Sequence, residues 1–225
     1  MTGTDLKATL TNLFDAERKI RELNDVLTQS APGAVLEVVN SAIADARQLQ
    51  DEDESALRLV RLADVLSYIE GPQAIDALID ILASDSPEGR VAAGEAIESI
   101  AFERFKEVAQ GVERALKRLP EGSPALPEIP YILSDVPEPG VIKLIEMFLK
   151  HKDADAVAAA IEVAADISDP ALTKHLAALV NDKRRVDMAD EESDEASEVS
   201  IGELAQEALD IIGDNAGDED DEEGR

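Results

Sequence analysis

Five rows of aliphatic side chains written in one register constrain this chain more than any other feature. Counting back 3, 4, 7 and 10 residues from an apolar anchor follows one face of an α-helix. From Ile69 the count meets Leu66, Val65, Leu62 and Leu59, and from Ile100 it meets Ile97, Ala96, Ala93 and Arg90. Val136 leads back to Leu133, Ile132, Ile129 and Leu126; Ile167 to Ala164, Val163, Ala160 and Val157; Ile212 to Leu209, Ala208, Ala205 and Gly202. The anchors stand 31, 36, 31 and 45 residues apart, the scale of a repeating unit of two helices, with insertions accounting for the longer gaps.

Three anchors are followed three residues later by proline, at Pro72, Pro139 and Pro170. A ring without an N–H is tolerated in the first turn of a helix, so each anchor ends one helix and a second begins almost at once. The first helices of the pairs are predicted near 33–50, 72–84, 102–119, 138–151 and 170–181, and their partners near 55–69, 87–100, 126–135, 154–167 and 199–212. Ahead of them, Asp5 to Gln29 reads as one amphipathic helix with Leu6, Leu10, Leu13, Phe14, Ile20, Leu23 and Leu27 on a single face. A stack of helix pairs needs its terminal apolar face covered, so this helix is expected to cap it. A coiled-coil dimerisation helix is the competing reading, and its heptad is not sustained.

The segment Ala63 to Ala101 carries Ile-Glu-Gly-Pro at 69–72, Ala-Ile-Asp-Ala-Leu-Ile-Asp-Ile-Leu at 74–82, and Asp85 before Arg90. It resembles the HEAT-repeat pattern of turn, first helix, Asp-containing corner and Arg at the head of the second helix, and the resemblance extends more weakly from Pro32 to Gly213. It implies an all-α fold: an alpha-alpha superhelix, or HEAT-like solenoid, of about five helix pairs with an N-terminal capping helix. The Arg position is Leu59, Leu126, Val157 and Gly202 in the other copies, so the family's polar ladder is expected to be incomplete. The implied organisation is a cap at 1–31, a repeat domain at 32–213 with an acidic insertion at 183–198, and a disordered acidic tail at 214–225.

Composition excludes several classes of function. The net charge is −29, of which residues 183–225 contribute −13 through 17 acids and 4 bases. Such a surface repels phosphate backbones and anionic membranes. Solubility, or adaptation to high salt, is the favoured explanation of the charge, and attraction of basic partners is the sharper alternative. Cysteine is absent, so disulfides and thiolate sites are excluded. The start of the chain has no cationic, unbroken apolar signal, and a cytoplasmic protein is expected.

Candidate chemistry is sparse. His151 and His175 are the only histidines, fall on different predicted helices and belong to no ligand motif. Asp187, Asp190, Glu191, Glu192 and Asp194 offer oxygen ligands, yet the spacing lacks the glycine and flanking pattern of a calcium loop. Pro124, Pro127 and Pro130 repeat with the period of a polyproline II ligand. Leu126 and Ile129 among them continue the core register, which favours a shortened or kinked helix instead. No catalytic residue, cofactor or metal is assigned.

The expected role is a non-enzymatic protein–protein interaction scaffold that binds another protein with a basic surface, and neither nucleic acid nor membrane. Side chains of the second helices that point away from the combs are the candidate contacts: Arg58, Arg61, Asp64, Tyr68, Glu95, Glu98 and Glu162. Arg61 and Tyr68 lead, because arginine and aromatic groups supply most interface energy. One rival is an acidic regulator that mimics nucleic acid. Another is enzymatic, since some HEAT-like families attach bilins or excise bases, and the acidic, aromatic-poor surface speaks against it.

Overall fold

A computed structural model describes the backbone of residues 3–188 and 197–223 and the side chains of residues 5–187 and 198–214. The elements are α1 (Gly3–Thr28), α2 (Pro32–Ala46), α3 (Glu52–Ser67), α4 (Pro72–Leu82), α5 (Pro87–Arg118) and α6 (Ala125–Ser134). They continue with α7 (Gly140–Phe148), α8 (Ala154–Ile167), α9 (Pro170–Ala177), β1 (Arg185–Met188), β2 (Ser197–Ser200) and α10 (Ile201–Glu223). Among the described residues the fold is all-helical apart from one antiparallel pair of strands.

Helix starts follow local chemistry. Asp51, Ser86, Asp153 and Asp169 each accept a backbone N–H from the first turn of α3, α5, α8 and α9. Ser200 and Glu203 form a reciprocal capping box at α10: Ser200 N–H donates to Glu203 Oε2 at 2.9 Å, and Glu203 N–H donates to Ser200 Oγ at 3.2 Å. The Ser200 hydroxyl, which donates to Glu203 Oε2 at 2.7 Å, and the Ser200 N–H together hold the exposed Glu203 carboxyl below its usual range.

Packing follows chain order in two rows. One row holds α2, α4, the second limb of α5, α7 and α9; the other holds α3, the first limb of α5, α6, α8 and α10. The combs lie between the rows. Leu59, Leu66, Ala93, Leu126, Leu133, Val157 and Ala160 are fully shielded, while Leu62 and Ile132 pack half-buried against them. Each such leucine or isoleucine contributes about 1.5–3 kcal/mol on leaving water.

The two helices expected at 87–100 and 102–119 are the two limbs of α5, which meet at a break at Arg104, where φ is −136° and ψ 45° leave the helical region. The bend aims the Arg104 guanidinium at the end of α3: it donates to Ile69 O at 3.3 Å, to Ser67 O at 3.2 Å and to Glu107 Oε2 at 3.1 Å. Glu107 in turn accepts from Gly71 N–H at 2.8 Å. The proline-rich stretch is helical rather than polyproline II. In α6, Leu126, Ile129 and Leu133 are buried with Pro130 inside the helix, so burial of the comb outweighs the backbone bond that Pro130 removes.

Three expectations are corrected. The N-terminal helix, expected to cap the stack along its length, lies on α2 and α3 by its last turns only. Only Ile20, Asn24, Leu27 and Thr28 of α1 are half-buried, and Leu6, Leu10, Leu13 and Phe14 stand about half exposed. At 26 residues α1 is much longer than α2 and α3, of 15 and 16, on which its last turns lie. The insertion at 183–198 is not simply a solvated loop, because β1 and β2 pair antiparallel with Val186 opposite Val199. Val186 is 5% exposed and packs with α8, and that burial offsets the entropy of ordering the strands. Residues 189–196 lie outside the described ones. The tail at 214–225 is helical in its backbone as far as Glu223, since extending a nucleated helix costs less than starting one.

The second limb of α5 meets α4 closely at Gly111, where a Cβ would overlap the Ile75 side chain. Gly111→Ala is therefore expected to destabilise the fold by about 1–3 kcal/mol in urea unfolding. Ile75→Ala is itself destabilising, and the double variant should lose less than the sum of the two single losses, because the overlap is counted only once.

Candidate partner-binding face

The expected contact residues all come from the second row. Arg58, Arg61 and Asp64 lie on α3, Tyr68 caps its end, Glu95 and Glu98 lie on the first limb of α5, and Glu162 lies on α8. Tyr68 is 63% exposed, whereas Glu98 and Glu162 are half-buried. The two arginines are already engaged: Arg58 Nε donates to Glu54 Oε1 at 2.7 Å, and Arg61 Nη1 donates to Asp64 Oδ2 at 3.1 Å. Asp64 also accepts from Asn24 Nδ2 of α1 at 3.0 Å, so α1 reaches the edge of this face. Exposed pairs of this kind contribute little to stability and yield to a competing charge.

One register ties the face together. Asp64, Glu95, Tyr131, Glu162 and Glu207 each stand five residues before an anchor, at Ile69, Ile100, Val136, Ile167 and Ile212. Two of these positions touch across neighbouring helices, where the Tyr131 hydroxyl donates to Glu162 Oε2. Beside them, Arg90 Nε lies 3.1 Å from Glu128 Oε1, an ion-pair contact without hydrogen-bond alignment, and joins α5 to α6. Burial holds the Glu128 carboxyl above its usual range, with Arg90 pulling the other way. Burial also raises the Tyr131 phenol, and the bond to Glu162 and the charges of Glu162 and Asp166 raise it further.

Aromatic placement singles out this row as well. The chain has two Tyr and four Phe, and four of these six are exposed: Phe14 at 54%, Tyr68 at 63%, Phe102 at 53% and Tyr131 at 45%. A core this aliphatic leaves aromatic groups at the surface, where they are effective interface anchors. Sequence reasoning missed Phe102 and Tyr131. The fixed offset from the anchors finds Tyr131; Phe102 follows Ile100 at the bend and has no such signal.

A second missed feature joins the first-row helices. Arg114 Nε donates to both Asp76 oxygens at 3.0 and 2.9 Å, its Nη2 donates to Pro72 O at 2.6 Å, and Arg118 bonds Asp80. Both acid–base pairs are 38 residues apart in sequence. This polar ladder lies between α4 and α5, away from the corner where the resemblance leads one to look.

The histidines occupy separate corners. His151 Nδ1 accepts from Asp153 N–H at 3.2 Å, while Asp153, 5% exposed, accepts from Gly122 N–H at 2.6 Å and Ala156 N–H at 2.9 Å. His175 Nε2 lies 3.3 Å from Glu146 Oε2. Among the described residues no three His, Cys, Asp or Glu side chains group as metal ligands, and no helix is long and apolar enough to cross a membrane. Of the calcium candidates, Asp190, Glu191, Glu192 and Asp194 lie outside the described residues, and Asp187 is exposed on β1. A cavity of about 520 Å³ opens between the α2–α3 and α4–α5 corners, lined by Arg47, Glu52, Asp53, Ser84, Asp85 and Glu88 among others.

No family model matches the chain, and no curated protein is similar to it at a significant level. Among solved structures, a crystal structure of an engineered protein aligns over 88% of this chain and 91% of that one. Its identity is 16% and its TM-score 0.35, too low to support any argument about this chain.

The neutral phenol is the form the fold favours at Tyr131. Its contribution to stability is present below the ordinary tyrosine range and is lost as pH rises beyond it. In a Tyr68→Phe chain, where Tyr131 is the sole tyrosine, phenolate absorbance should therefore appear at higher pH than in free tyrosine. Glu162→Gln should move that titration back toward the ordinary range.

Proposed function

We propose that this chain is a HEAT-like α-solenoid acting as a non-enzymatic scaffold, and that its second-row face receives a basic segment of another protein. What supports this reading most is the series of equivalent positions Asp64, Glu95, Tyr131, Glu162 and Glu207, joined at one step by the bond from Tyr131 to Glu162. Packing of each helix against its neighbours in two rows is what a solenoid requires. Its acids attract Lys and Arg, and the exposed Tyr68 and Tyr131 supply aromatic faces for the same cations. On this reading, what the molecule offers a partner is shape and charge, with no reactive group involved. A cytoplasmic location belongs to the same proposal.

The test is binding of an Arg/Lys-rich peptide, followed by calorimetry at two salt concentrations. The expected outcome is saturable binding that weakens with salt and falls by about tenfold or more in Glu95→Lys/Glu162→Lys. Affinity unchanged by that double reversal would refute the assignment of the face. Competition by duplex DNA for a captured natural partner would shift the reading toward a nucleic-acid mimic.

A further inference from the structure

Leu6, Leu10, Leu13 and Phe14 continue the same face of α1 that Ile20, Asn24 and Leu27 use to lie on α2 and α3. The docked part ends near Ile20. From Gly3 to Lys19 the helix extends past its neighbours for about 25 Å, with every described side chain exposed. Leu6 is 55% exposed, Leu10 50%, Leu13 55% and Phe14 54%. An apolar stripe of this size on one helix marks an interaction surface.

Charge identifies the occupant. α1 carries five acids and four bases, so it holds only −1 of the net −29 and leaves −28 on the rest of the chain. A basic partner finds no net charge to meet on this arm. A second copy of the same chain finds here a nearly neutral helix whose apolar stripe is uncovered, so the two molecules can meet without the repulsion of their acidic bodies. Within the arm Asp15 pairs with Arg18, and Lys19 with Glu22 at 3.1 Å. Lys7 and Glu17 have no ion-pair partner among the described residues.

We infer that two copies associate through their α1 arms in antiparallel alignment. With Leu10 of one arm against Leu13 of the other, both leucine pairs form by symmetry, and Leu6 falls against the stem of Glu17. The carboxylate of Glu17 then lies beside Lys7 of the second arm, so each unpaired charge finds its opposite. Antiparallel pairing also keeps the two acidic bodies at opposite ends of the arms, well beyond the screening length of about 8–10 Å at moderate salt. A parallel pair would set Glu17 against Glu17 and bring the bodies together. The leucines and Phe14 of both arms remove on the order of 1,000 Å² of surface, the lower bound for a specific contact, so the dimer is reversible and depends on concentration.

Sedimentation equilibrium of the full chain tests the inference. The expected result is a monomer–dimer equilibrium that is weakened about tenfold or more by Leu10→Glu and is unmoved by Leu57→Glu, a control leucine 63% exposed on α3. Lys7→Glu should weaken association, and Lys7→Glu/Glu17→Lys should restore it to within about twofold. A chain monomeric at every concentration and salt, a dimer indifferent to Leu10→Glu, or one equally sensitive to Leu57→Glu overturns the arm as the interface. Failure of the charge swap to restore association overturns the antiparallel register. Circular dichroism of each variant separates these outcomes from unfolding. None of them bears on the second-row face, so the two proposals stand or fall separately.

Discussion

Adjacent helices share buried aliphatic rows, and every other feature of the molecule depends on that sharing. No single helix here hides its own apolar face, so each must be covered by the next in its row and by the partner across. Helix α8 illustrates the packing. Ala156, Ala158, Ala159, Ala160, Ala164 and Ala165 are all buried, and their small side chains let neighbouring backbones approach closely. Gly111 and Gly140 serve the same purpose elsewhere, admitting Ile75 and Phe105 where a Cβ would collide.

Polar contacts then set the geometry that burial leaves loose. Hydrophobic rows tolerate sliding, whereas a guanidinium bonded to carbonyls and carboxylates does not. Arg104 ties the bend of α5 to the end of α3, and Arg114 and Arg118 tie its second limb to α4. Asp153 closes the corner between Gly122 and α8, and Arg184 closes the next by donating to His151 O at 3.0 Å and Lys152 O at 2.9 Å. Asp182 accepts from the same guanidinium, and those bonds hold its carboxyl below its usual range. These four arginines are spent on structure, and the acids, which outnumber the bases 50 to 21, define the chain's outward character.

Much of the architecture was legible because burial has a period. The combs placed the starts of the second-row helices to within a few residues, and the prolines after the anchors marked where α4 and α9 begin. The candidate face was legible only in part. Arg58 and Arg61 carry the residue types of an interface, but no local pattern reveals that Glu54 and Asp64 already bind them. Tyr131 was hidden by the prolines around it, although its offset from Val136 is that of Glu95 from Ile100.

Sequence alone determined the helical class, the number and order of the paired segments, and the acidity of the surface, because these depend on periodicity and composition. Tertiary structure alone decided how the two limbs of α5 turn at Arg104, that Val186 and Val199 pair as strands, and that the leading half of α1 stays uncovered. Each of these turns on whether a particular side chain finds a neighbour far along the chain. A helical repeat written in one segment says which face seeks cover, and only the folded molecule says how much cover is there.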